Sequence, residues 1–171
     1  WNDKKNQKYK KAYFNEFKNI WHHGDYAEKK KTGGYIIYGR SDATLNPGGV
    51  RLGTAEIYSV VESFEQIKES ICVGQSWKND VRIILFVVLK KNHQLSSNLI
   101  KSIKVAIRKD ASPRHVPAKI IQVEDIPRTK NGKIVELAVK NIIDGTSIKN
   151  KQALANPEAL NLFIKLDELS Y

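Results

Sequence analysis

Methionine is absent from the 171 residues, even from position 1, so the chain is expected to be a piece of a longer protein. Cysteine occurs once, as Cys72, which cannot close an intrachain disulfide. Nothing in the chain therefore calls for an oxidising compartment, and the cytosol is the expected location. Long apolar runs are missing too. The longest, Val81 to Leu89, is interrupted by Arg82 and falls far short of the roughly 20 apolar residues that a membrane-crossing helix needs. Charge at Asp3, Lys4 and Lys5 with no apolar stretch behind it is not the pattern of a signal peptide, and none is expected in these residues. The compositional mark of disorder is also absent, since 41% of the residues are hydrophobic. The length fits one ordinary domain with some flanking sequence.

Acidic residues are scarce relative to basic ones, 18 against 29, for a net charge of +11. The excess is concentrated in two stretches. Residues 1 to 31 hold nine lysines against four acids, and residues 90 to 133 hold eleven Lys/Arg against three acids. A solvated lysine-rich surface, a nucleic-acid face and a site for phosphate-bearing small ligands all fit this pattern.

What is present divides into periodic segments. Tyr9, Tyr13, Phe17 and Ile20 recur at helical spacing among lysines, which predicts an amphipathic helix over residues 5–20 with one buried stripe. The alternative, aromatics stacking on bases, is disfavoured because the spacing keeps the rings on one face. A turn at Gly33-Gly34 leads to a short strand, Tyr35 to Tyr38, ending in Gly39-Arg40, and then to a loop over residues 41–53. Thr54 is placed to cap a helix reaching about Phe64, with Ile57, Val60, Val61 and Phe64 as its apolar face. Strands are predicted at Ser70 to Gly74 and Val81 to Leu89, joined by the polar stretch Gln75 to Asp80. Ser96 or Ser97 opens a second helix carrying Leu99, Ile100, Ile103, Ala106 and Ile107, which stops before Pro113. A third strand is predicted at Lys119 to Val123 and a last helix at Lys133 to Ile143, stopped by Gly145. Asn156-Pro157-Glu158 can start one more short helix. Strands and helices mix without strict alternation, so the expected fold class is α+β, a short mixed sheet covered by helices.

Three segments place glycine, acid and base together where packing does not ask for them: His23-Gly24-Asp25, the stretch Gly39 to Glu56, and Pro127 to Lys133. Asp25 is either a turn aspartate or a carboxylate able to accept two hydrogen bonds from a ribose diol. Arg40 and Arg51 offer planar donor forks for hydroxyls or phosphates, and Gly48-Gly49 is backbone that a narrow ligand can slide past. An ordinary irregular loop is the plain alternative. Lys133 is read as an ammonium at a helix start, where the helix dipole disfavours it.

In this order the segments resemble the signatures of the adenylate-forming superfamily, which includes acyl-CoA synthetases, luciferase and peptide-synthetase adenylation domains. The run from Gly39 to Phe64, the segment Ser112 to Pro117, Asn131-Gly132-Lys133 followed by Glu136, Val139-Lys140 and Ile142-Ile143, and the Asn-Pro-Glu tail are similar to the members that act on acetoacetate. The resemblance covers nearly the whole chain from Trp21 onward. It implies a small C-terminal lid domain, residues 42–145, preceded by the end of a larger nucleotide-binding N-terminal domain, residues 1–41, and followed by a tail, residues 146–171. The implied reaction joins acetoacetate or a similar short acid to coenzyme A through an acyl-adenylate made from ATP. By that resemblance Asp25 and Arg40 would hold the ribose of ATP or AMP, and Asp42 would be the hinge. Gly49 would line the pantetheine tunnel, Arg51 would approach the AMP phosphate, Arg108 would meet the phosphates of coenzyme A, and Lys133 would stabilise the adenylating step. Ala43 stands where many relatives carry a second acid, and His23 where threonine is usual. No Ser/Thr/Gly-rich phosphate loop and no aromatic-x-x-Thr-Glu motif occurs in the chain, so the ligands of Mg²⁺ are expected in the N-terminal domain. Two rival readings are a small basic nucleic-acid-binding module, which lacks zinc spacing, an RNP-like aromatic motif or a GxxG clamp, and a non-catalytic scaffold domain.

Overall fold

The apolar run that suggested a strand lies at the centre of the molecule. The computed structural model describes residues 3–148 and 151–170. In it β4 (Asp80–Leu89) lies between β3 (Ile67–Trp77), to which it is antiparallel, and β5 (Lys119–Gln122), to which it is parallel. A strand covered on both faces has no solvent side on which to alternate, hence its nearly unbroken apolar sequence. Ile83, Leu85 and Val87 enter one core together with Cys72 and Ile120. Ile84, Phe86 and Val88 enter the other with Ile71, Val73 and Ile121.

The first face is closed by α2 (Thr54–Val61) and α3 (Ser97–Asp110). Ser96 caps α3 by accepting a hydrogen bond from the Leu99 amide at 3.2 Å. Ile103 and Ile107 are fully buried beneath that helix, which ends ahead of Pro113 as expected. The expectation for α2 needs correction: Gly53 occupies the cap position, Thr54 is buried in the first turn, and the helix ends at Val61. Phe64 still packs against the same core from the following turn.

The second face is closed by α4 (Glu136–Ile143) and by a 3-10 helix, Pro157–Phe163, that begins at the Asn-Pro-Glu sequence. Phe163 meets Phe86 edge to face, with ring centroids 4.9 Å apart at 81°. Phe163 and Leu169, beyond residue 146, are thus part of the core packing. The β3–β4 hairpin also differs from expectation. The strands continue through the polar stretch to a two-residue turn, Lys78-Asn79, with both residues at positive φ (47° and 63°). Ser76, Lys78, Asn79 and Asp80 at that end of the ribbon are exposed, whereas Gln75 is buried and bonds Arg82 at 2.7 Å.

The predicted helix over residues 5–20 is reduced to α1 (Gln7–Tyr13), and its stripe is not buried. Phe14 leaves helical geometry at φ −128°, and the His22 amide donates to the Tyr13 carbonyl at 2.8 Å. This fold-back lays Trp21 on Tyr13, stacked at 4.0 Å, with Tyr9 and Phe14 alongside. Next, β1 (Asp25–Lys29), not foreseen as a strand, pairs antiparallel with β2 (Tyr35–Arg40) around the expected Gly33-Gly34 turn. Gly53 seats the start of α2 on this ribbon: a side chain there would place its Cβ 2.5 Å from the Tyr38 carbonyl oxygen.

Candidate functional site

The β1–β2 register sets Asp25 opposite Arg40, and the chain leaves the ribbon through Ser41 and Asp42. Three of the residues singled out from the sequence therefore converge. The Arg40 guanidinium donates to the His23 carbonyl at 2.8 Å and approaches Asp25 at 3.4 Å and Asp42 at 3.5 Å. Gly24 makes this possible. It sits at φ +87°, and a Cβ at that position would lie 2.7 Å from an Arg40 nitrogen. The His23 ring meets the Asp25 carboxylate through Nδ1 at 2.5 Å. That bond, with the nearby Arg40 charge in support, holds the Asp25 carboxyl below the usual carboxylate range. The result is an exposed, ionised carboxylate oriented from two sides, which suits it to accept donors from a ligand.

The loop over residues 41–53 is folded on itself by a bridge between Leu45 and Leu52, both buried. Asp80, at the hairpin tip, accepts from the Gly48 amide at 2.9 and 3.1 Å. Gly49 sits exposed at φ +76°, with nothing within 4 Å of where a Cβ would stand. Arg51 projects beside the ribbon into a cleft shared with Tyr26, Tyr38, Glu56 and His115. His115, only 5% exposed, bonds Glu56 at 3.0 Å and Ser112 at 2.8 Å. This pinned Glu56–His115–Ser112 chain spans 59 residues of sequence, so local spacing held no signal for it. Arg108 is exposed in the last turn of α3, on a different element from the Asp25–Arg40–Asp42 cluster.

Lys133 is not at a helix start, because α4 begins three residues later, at Glu136. It belongs to a tight turn. The Thr129 amide donates to the Lys133 carbonyl at 2.8 Å, and the Lys133 amide donates to Thr129 Oγ1 at 3.1 Å. An isolated bridge pairs Arg128 with Ile134. The Arg128 guanidinium closes the turn on the Gly132 carbonyl at 2.9 Å and bonds Glu69 of β3 at 2.8 Å. The exposed lysine therefore stands on a stiff hairpin, and the helix-dipole argument does not apply to it.

Beneath the 41–44 turn lies a cavity of about 190 Å³ lined by Asp42, Ala43, Thr44, Cys72, Glu136 and Lys140, among others. Burial is the main reason the Glu136 carboxyl sits above the usual range, and the Asp42 charge adds to it. Tyr58 joins three elements here. Its hydroxyl donates to Glu136 and accepts from the Cys72 amide at 3.0 Å. Burial pushes both the Tyr58 hydroxyl and the Cys72 thiol well above their ordinary values, so both stay protonated near neutrality. Among the described residues no group of three His, Cys, Asp or Glu side chains is placed to hold a metal ion.

The described residues thus form an α+β fold with a small mixed sheet, an oriented carboxylate at Asp25 and a lysine on the tight turn before α4. Residues 56–133 match the AMP-binding enzyme C-terminal domain. The chain is 60% identical to acetoacetyl-coenzyme A synthetase of Rhizobium meliloti (strain 1021), with 99% of this chain and 26% of that protein aligned. It is 49% identical to acetoacetyl-CoA synthetase of Gallus gallus, again over 99% of this chain and 26% of the relative. The solved acetoacetyl-CoA synthetase from Streptomyces lividans superposes with a TM-score of 0.88 at 36% identity, covering 98% of this chain and 26% of that one. The chain thus spans about a quarter of the length of the relatives it matches. No helix among the described residues is long and apolar enough to cross a membrane.

Proposed function

We propose that this chain, residues 42–145 above all, is the moving lid of an acid–thiol ligase that activates acetoacetate or a similar short acid with ATP and passes the acyl group to coenzyme A. The observation that carries the reading is the 60% identity to an acetoacetyl-CoA synthetase along 99% of the chain. In the first half-reaction a carboxylate oxygen attacks the α-phosphorus of ATP and pyrophosphate leaves. In the second, the sulfur of coenzyme A, its proton lost, attacks the acyl carbon and AMP departs. Residues 1–41 would belong to the larger nucleotide-binding domain and residues 146–171 to a tail.

Asp25, ionised and oriented by His23 and Arg40, would accept both ribose hydroxyls of the nucleotide. Arg40 would help directly and also tether Asp42. Asp42 would be the hinge, since it stands where the chain leaves the ribbon. After rotation Arg51 would face the AMP phosphate, Gly49 would give the pantetheine arm a wall without a side chain, and Arg108 would meet the phosphates of coenzyme A. Lys133 would enter the site only in the adenylating pose and stabilise charge building between the carboxylate and the α-phosphate. Mg²⁺ accompanying ATP would draw its protein ligands from outside these residues.

The test is Lys133→Ala in the whole ligase. Loss of one preorganised cation is expected to slow acetoacetate-dependent ATP–pyrophosphate exchange about a hundredfold or more. Thioester formation from preformed acyl-adenylate should remain near the wild-type rate. Equal slowing of both half-reactions, or of neither, would refute the assignment.

A further inference from the structure

The turn that carries Lys133 is also braced at its base by the chain's later residues. Ala155 donates its amide to the Arg128 carbonyl at 2.8 Å, Lys130 donates to the Ala153 carbonyl at 3.2 Å, and Thr129 bridges Leu154 as a short β-pair. Asn156 completes the seam with three bonds from one side chain. Its Oδ1 accepts from the Arg128 amide at 2.8 Å. Its Nδ2 donates to the Asp125 carboxylate at 2.7 Å and to the Ile126 carbonyl at 3.0 Å. Residues 125, 126 and 128 are thereby held at the foot of the 129–133 turn. The Asn156 side chain makes no cap bond to the 3-10 helix it opens, so its bonds go to the foot of the lysine turn. That helix is itself anchored, by Ala159, Leu160 and Phe163 in the core.

We infer that Asn156 is a positioning residue for the adenylating step, holding Lys133 at a fixed reach by clamping residues 125–128 to the 153–156 strap. The inference rests on the reading of Lys133 given above. A lysine on a loosened turn still carries its charge but spends less time where charge develops, and a misplacement of about 1 Å can cost a hundredfold in rate.

The experiment uses the whole ligase. Asn156→Ala is expected to lower kcat for acetoacetate-dependent ATP–pyrophosphate exchange about tenfold or more with KM nearly unchanged, because the clamp affects placement of the reacting charge and not ground-state binding. Conversion of preformed acyl-adenylate to thioester should stay within about twofold of wild type. Amide hydrogen exchange at Arg128 and Lys130 should accelerate in the same variant. Combining Asn156→Ala with Lys133→Ala should slow adenylation no further than Lys133→Ala does, since both act through one ammonium. The exchanged pair Asn156→Asp with Asp125→Asn keeps the acceptor for the Arg128 amide and the contact between the two side chains. It should recover part of the rate lost by Asn156→Asp alone. Phe163→Leu, which loosens the strap's packing elsewhere, controls for general destabilisation and should lower Tm without splitting the half-reactions. Wild-type adenylation in Asn156→Ala, or unchanged protection at Arg128, would overturn the inference. Full adenylation by Lys133→Ala would instead sink the lysine reading itself, and the protection data would show the clamp to be structural only.

Discussion

Arg40 performs three tasks from one guanidinium, bridging a carbonyl and two carboxylates that lie on either side of the turn out of the ribbon. All these groups are at least a third exposed or close to it, so their ion pairing contributes geometry more than stability. Glu136 is the opposite case, a carboxyl largely withdrawn from water. Its folded-state pKa lies above the ordinary 4.5, so ionising it opposes folding. Stability from this group is fully present below 4.5 and is lost as pH rises through the folded-state pKa. Glu136→Gln keeps an acceptor for Tyr58 and cannot ionise. Urea unfolding of wild type and variant across pH 4 to 8 should show the wild type losing ground to the variant as pH rises. A constant difference would mean that Glu136 does not titrate differently on folding.

At the scale of elements, α3 and β4 were readable because their signals are local: a serine cap, a proline stop and a run of apolar residues. Lys133 was placed on a helix because Ile134 and Val135 extend the apolar spacing of α4 backwards. The bonds that make residues 129–133 a turn come partly from Arg128 and Thr129, whose roles spacing does not encode. The aromatic stripe of residues 5–20 failed for another reason. The described structure provides no core for it, and the rings pack on one another through the fold-back at Phe14. Of the candidate site, Arg40 acting beside Asp25 is what the resemblance implies, whereas Asp42 drawn to the same guanidinium, the His115 chain and the Asn156 clamp depend on contacts that only the folded chain makes, the last two across 28 to 59 residues. The strap yields its own prediction. Phe163 is 1% exposed against Phe86, so Phe163→Ala should cost about 3–5 kcal/mol, read as a fall in the urea midpoint. A cost below about 1 kcal/mol would mean the second face is not closed by this ring.

The whole molecule supplies a carboxylate, a hinge candidate and a lysine, and no Ser/Thr/Gly-rich phosphate loop. The chain alone is accordingly expected to leave pyrophosphate exchange into ATP at background in the presence of acetoacetate. Exchange above background would show that the groups listed by motif are sufficient for adenylation.

The two faces of the sheet are closed at different moments of synthesis. α2, α3 and the first core need nothing beyond about residue 120, whereas Phe86 and Ile84 wait for α4 and for the segment around Phe163. Until those later residues emerge, the nascent domain carries an open apolar face, the state most exposed to aggregation and chaperone capture. The residues that cover this face are continuous with the ones that clamp the lysine turn. Completion of folding and full bracing of the lysine turn therefore arrive together, and a chain stalled before Asn156 would hold its ammonium on a turn secured by its own bonds and the Arg128–Glu69 pair but without the strap.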